Sequence, residues 1–225
     1  TSLTQKTVNE ETLAVDTDSS IQREFAYELT SMGDYNRLAM DFNELVNDAD
    51  MILKIKVESV TPYINENGMI QSEIVPVVEE VYKGKYNGEK LYVNGGEMLY
   101  DDFIQNDIIR EQLSGHEDPD ADKESMSGKY VKQTVDNQYI FHKGDEYVFF
   151  AQQREDDNKF YSLYAYQGTF KVDGDYVDNE ALNASEPLAS DIDTRFTTDS
   201  VIRTMSAACA EVSLEEFVNA INSVE

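Results

Sequence analysis

Apolar residues change their spacing along this chain, and the changes divide it into predicted elements. Within 21–40, Ile21, Phe25, Leu29 and Met32 recur every three or four positions. That spacing predicts one amphipathic helix, terminated by Gly33. A second short helix is expected over 41–49, with Phe42, Leu45 and Val46 on one face. After Asp50 the period falls to two. Leu53, Ile55 and Val57 alternate with Lys54, Lys56 and Glu58, the pattern of a strand with one buried face. Asn65-Glu66-Asn67-Gly68 is a turn in which Gly68 can take a positive φ. A strand over 69–82 follows, and Pro76 inside it implies an edge position or a bulge. Turns at Lys83-Gly84 and Asn87-Gly88 lead to a third strand over 90–93 that ends at Gly95-Gly96.

Between Glu97 and Gln138 the regular pattern fails, so 97–138 is expected to be a long insertion with a short helix near 102–113. Strands resume at 147–151, 160–167 and 169–172, and Asp173-Gly174 is a tight hairpin into Tyr176-Val177. Near the C-terminus, Ser213 followed by Glu216 forms a capping box. Leu214, Phe217, Val218 and Ile221 give the helix behind it an apolar stripe, expected to dock on the barrel. The alternative use of that stripe is a partner protein. Residues 1–20 are polar and acidic without periodicity and are expected to be a tether. The remainder, 21–225, is expected to be a single β-barrel domain carrying the 97–138 insertion. The fold class is therefore mainly β with flanking helices (α+β), a small antiparallel OB-like Greek-key barrel.

Composition adds charge to this outline. The 225 residues include 45 acidic and 18 basic ones, for a net charge of -27. Such a surface repels phosphate backbones and anionic lipid, which argues against nucleic-acid and membrane-surface partners, and it attracts cations and basic surfaces. The longest apolar run, 147–151, is far too short for a transmembrane segment. Cys209, the single cysteine, has no partner for an internal disulfide, and as a small buried hydrophobe in an alanine-rich stretch it is a poor nucleophile. The chain starts at Thr1 without methionine or signal peptide, so the expected form is a trimmed, mature one.

The order of segments carries a resemblance. Residues 48–60 (DADMILKIKVESV), 77–96 (VVEEVYKGKYNGEKLYVNGG) and 141–177 (FHKGDEYVFF through KVDGDYV) follow one another around the insertion. Together they resemble a family of secreted or lipid-anchored proteins of Gram-positive bacteria. The matching positions are Lys83-Gly84, Gly95-Gly96, Lys143-Gly144-Asp145-Glu146-Tyr147 and Gln167-Gly168, mostly turn formers and strand starts. The resemblance implies an extracellular or surface-anchored location and a fold, and no activity, because none is assigned to that family. The strand order is also similar to the OB-like barrel of metalloprotease-inhibitor and netrin modules. Those modules use an N-terminal cysteine and disulfides, neither of which this chain has.

Candidate chemistry is diffuse. Asp118, Asp120, Asp122 and Glu124 alternate like the start of an EF-hand loop, but Lys123 stands where glycine is needed and Lys129 where the closing glutamate belongs. Asp173, Asp175, Asp178 and Glu180 read as a hairpin turn, and Glu155-Asp156-Asp157 as a solvated one. His116 and His142, the two histidines, lack zinc-site spacing, and there is no P-loop or G-x-S-x-G elbow. Phe160, Tyr164 and Tyr166 would share one strand face, as cross-strand packing or, alternatively, as an exposed platform for a glycan or peptide. No catalytic, cofactor-binding or metal residue is assigned and no cofactor is expected. Two functions follow: a non-enzymatic binding or surface module for a protein, peptide or glycan of the cell envelope, or a metal-dependent hydrolase or other enzyme using the insertion.

Overall fold

The computed structural model describes residues 23–32, 38–39, 41–113, 123–179 and 212–224. The expected tether, Gly33, His116, Asp118, Asp120, Asp122, Glu180 and Cys209 lie outside them. The protein is mainly β with a closed five-stranded barrel and a few helices.

Two long strands build half the barrel. β2 (Met51–Ile64) and β3 (Ile70–Lys83) pair antiparallel along nearly their whole length. The turn between them is fixed by Asn65, whose Oδ1 accepts hydrogen bonds from the backbone N–H groups of Asn67 (2.9 Å) and Met69 (3.0 Å). The ladder slips beside Pro76, which faces Val57, so the proline sits at the expected bulge. β4 (Leu91–Asn94) pairs with the first half of β3, and β7 (Glu146–Gln153) pairs with the start of β2. β8 (Phe160–Ser162) closes the ring, lying parallel to β4 and antiparallel to β7. The ring order β2-β3-β4-β8-β7 is that of an OB-like Greek-key barrel.

Its interior is filled by alternate residues: Leu53, Ile55 and Val57 of β2, Ile74 of β3, Leu91 and Val93 of β4, and Tyr147, Phe149 and Ala151 of β7. Phe141 is buried with them, stacked on Tyr147 at 4.0 Å between centroids. β7 shows no apolar-polar alternation because its other face is also covered. β9 (Thr169–Asp173), β10 (Tyr176–Asp178) and β11 (Val212–Ser213) extend the sheet beyond β7. α1 (Phe42–Asp48) and a C-terminal helix, labelled α5 below (Leu214–Asn222), pack on the same side. Phe217 of α5 is surrounded there by Phe42, Phe150 and Phe170. Helix α5 begins with both hydrogen bonds of the Ser213–Glu216 capping box, as the sequence predicts.

Three regions depart from the sequence expectations. The helix expected within 21–40 is instead β1 (Phe25–Ser31), a strand lying parallel to β6 (Tyr130–Val135). Pairing with β6 overrides the weak helical spacing, and Met32 faces solvent instead of a core. The span 97–138 is not patternless. β5 (Gly96–Leu99) and β6 pair antiparallel, and α2 (Tyr100–Gln105), α3 (Asp107–Leu113) and α4 (Lys123–Met126) lie between them. Met98, Tyr100, Phe103, Ile104, Ile109 and Val131 form a separate core there with Ile70. Finally, the strand expected over 160–167 stops at Ser162. Tyr164 and Ala165 take left-handed backbone (φ 48° and 51°), and a 3₁₀ turn, Ala165–Gly168, follows. Gly168 is required there, because a Cβ would meet the carbonyl oxygen of Leu163 at 2.4 Å.

Candidate functional site

The sequence-derived candidates scatter. Glu124 lies exposed on α4. Asp173, Asp175 and Asp178 belong to the β9–β10 hairpin, where Asp178 accepts a hydrogen bond from the Tyr139 hydroxyl (2.8 Å). Phe160, Tyr164 and Tyr166 do not share a strand face. Phe160 packs on the barrel interior, while the two tyrosines pack on the core beneath α1 and α5, and Tyr164 donates its hydroxyl to Asp48. Among the described residues, no three His, Cys, Asp or Glu side chains come together so as to hold a metal ion.

His142 does acquire partners. Its Nε2 is 3.3 Å from Glu97 Oε2 and its Nδ1 is 3.7 Å from Asp145 Oδ2. Arg23 reaches the same Glu97 oxygen at 2.6 Å, and Lys171 approaches Asp145 at 3.4 Å. Asp145 and Glu97 together push the His142 pKa up to about 9. Burial opposes ionisation of Glu97, but His142 and Arg23 outweigh it and hold the carboxyl low; His142 and Lys171 do the same for Asp145. An imidazole with that pKa is cationic at neutral pH and cannot accept a proton as a general base. This cluster is therefore an ionic clasp joining Arg23 just before β1, Glu97 of β5 and the barrel.

A second constellation lies on the barrel's outer face. Alternation sets it: Tyr92 sits between Leu91 and Val93, both in the barrel core, and so points outward. Across the ladders Glu73 faces Tyr92 and Tyr92 faces Tyr161, while Tyr63 faces Gln71 and Gln71 faces Asn94. Three of these four pairs are hydrogen-bonded, and the Tyr92 and Tyr161 rings are in contact. Tyr92 donates to Glu73 (2.8 Å), Tyr63 donates to Gln71 Oε1 (2.8 Å), and the Gln71 amide donates to Asn94 (2.9 Å). Lys90 donates to the second Glu73 oxygen at 2.6 Å.

The turn over 154–159, between β7 and β8, folds onto this face. Tyr161 donates its hydroxyl to Asp157 (2.8 Å). The Arg154 guanidinium lies 3.6 Å above the Tyr161 ring centroid, and the Lys159 ammonium 4.7 Å from that of Tyr92. The two rings are 5.3 Å apart. Burial first, then the Glu73 and Asp157 carboxylates, raise the hydroxyl pKa values of Tyr92 and Tyr161. Burial also raises that of Tyr63, with the Tyr161 hydroxyl bonded to it acting in the opposite sense. The phenols therefore stay neutral hydrogen-bond donors.

No linear motif singles out Tyr63, Tyr92 and Tyr161, since each is an outward residue on a separate strand. The only linear signal was the number of tyrosines, 14 in all. Two aromatic rings, each 8% exposed and covered by a cation, converge on one patch with an amide pair and two carboxylates. The chain matches no protein-family model, no curated protein and no solved structure.

Proposed function

We propose that the protein is a non-enzymatic, extracytoplasmic binding module whose ligand, a protein, peptide or glycan, sits on the outer face of β3, β4 and β8. The observation that carries this is the convergence of Tyr63, Tyr92 and Tyr161 with Gln71, Glu73, Asn94, Arg154 and Lys159. Barrels with this strand order bind ligands on this face and on the two turns that flank it, here 65–69 and 154–159. The net charge of -27 disfavours oligonucleotides and leaves saccharides and polypeptides. The extracytoplasmic part of the proposal rests on the resemblance of 48–177 to secreted and lipid-anchored proteins.

The test is binding of the purified protein to immobilised cell-wall saccharides and to cationic peptides, with two tyrosine variants compared. Tyr63→Ser removes an outer-face phenol, whereas Tyr176→Ser removes an exposed one on β10. Binding lost in the first and kept in the second, with both variants melting near the parent, is the expected result. Equal retention in both overturns the proposed seat.

A further inference from the structure

The outer-face rings are already occupied, and by the protein's own cations. Arg154 covers Tyr161 at 3.6 Å and Lys159 approaches Tyr92 at 4.7 Å, distances at which a cation is attracted to the ring's negative face. Carboxylates sharpen the attraction, because Tyr92 and Tyr161 donate their hydroxyls to Glu73 and Asp157. Both occupants come from one short turn. It is closed by Arg154 N–H to Lys159 C=O and Asn158 N–H to Arg154 C=O, each 2.9 Å. Arg154, Glu155, Asp156 and Asp157 of that turn are exposed, while the rings beneath are buried.

We infer that Tyr92 and Tyr161, with Glu73 and Asp157, form a paired cation cage that Arg154 and Lys159 occupy as internal stand-ins, and that the ligand is a polypeptide segment presenting two neighbouring Arg or Lys side chains. The inference rests on the outer face being the ligand seat. Charge favours it over an acidic ligand. The protein as a whole carries -27, and Glu155 and Asp156 flank the cage, so the field draws in basic segments. The ring separation of 5.3 Å requires two cations close together, as adjacent side chains of one strand or turn provide. Lys90, bound to Glu73 at 2.6 Å, is the third basic group at the site and stays outside the rings. Binding then consists of exchange: the ligand's cations replace Arg154 and Lys159, and the turn swings out.

Exchange predicts a gain in affinity when the covering cations are removed. The double variant Arg154→Gln with Lys159→Gln removes the stand-ins while preserving side-chain length. Lys85→Gln with Lys143→Gln changes the net charge equally, at exposed positions away from the cage. Affinity for a capped Arg-Gly-Lys peptide is measured by calorimetry against the parent and both variants, with a capped Gln-Gly-Gln peptide and chitohexaose as further probes. The expected result is tightening of about fivefold to tenfold for the cage variant beyond that of the charge-matched control, and no binding of the neutral peptide. Equal tightening in both variants, or no binding of the cationic peptide at all, overturns the inference. Chitohexaose binding that is lost in Tyr63→Ser and weakened in the cage variant also overturns it, and leaves the outer-face seat standing. If no probe binds in a manner sensitive to Tyr63→Ser, the seat itself is wrong.

Discussion

Replacing His142 by glutamine removes the cation at the centre of the ionic clasp and leaves Glu97 and Asp145 facing a neutral amide. In the parent, the pKa of this histidine rises from 6.5 to about 9. At about 1.4 kcal/mol per pH unit, that gap is worth roughly 3 kcal/mol when fully expressed. The side chain is only 21% exposed, so solvent screening removes a modest part of it. The sign follows from the direction: a folded pKa above the unfolded one stabilises fully below about pH 6.5, and the contribution drains away as the pH rises toward 9. Glu97 and Asp145, held low, contribute above the ordinary carboxylate range and lose that contribution as the pH falls through it. Urea unfolding of parent and His142→Gln, followed by circular dichroism from about pH 6 to pH 9.5, measures the difference; His116 is common to both and cancels. The gap should be about 2–3 kcal/mol near pH 6 and shrink to about 1 kcal/mol or less near pH 9.5. A gap that does not change with pH would falsify the ion-pair role of His142.

Other perturbations test the packing. Phe217→Ala opens a hole among Phe42, Phe150 and Phe170 and should cost about 3–5 kcal/mol in a chemical denaturation series; a cost below about 1 kcal/mol would mean that α5 is not docked. Ser213→Ala breaks the capping box and should lower stability by about 1 kcal/mol, with the loss reduced in a Ser213→Asp variant that restores the cap. Two glycines should separate cleanly. Gly168→Ala drives a Cβ into the backbone of Leu163, whereas Gly144→Ala meets open space and carries only the strain of its φ of 91°. Thermal melting should show Gly168→Ala as the worse of the two, with Gly144→Ala costing about 1–2 kcal/mol.

How legible each part was follows from where its information lies. β2 could be read from the alternation of Leu53, Ile55 and Val57, because one face lies on the barrel core and the other is polar. The C-terminal helix could be read from the Ser213 cap and the spacing of Phe217 and Ile221. β1 could not: Phe25 and Leu29 fit a helical spacing, and only pairing with β6, about a hundred residues away in sequence, makes the segment a strand. The β5–β6 pair was hidden for a similar reason, since its apolar residues face a small separate core shared with Ile70. The candidate site is the least legible. Tyr63, Tyr92 and Tyr161 meet only through the β2–β3, β3–β4 and β4–β8 ladders, so their adjacency is a product of register and leaves no linear motif. The same holds for the clasp, where Glu97 and His142 are 45 residues apart.

The most direct measurement of the central claim is an amide chemical-shift map of the isotope-labelled protein during titration with the capped Arg-Gly-Lys peptide. The shifts should cluster on Tyr63, Gln71, Glu73, Tyr92, Asn94 and the 154–161 segment, with the largest at Arg154 and Lys159 as the turn releases the rings. Shifts centred instead on the β1–β6 edge or spread evenly over the acidic surface, with 154–161 unmoved, would contradict it.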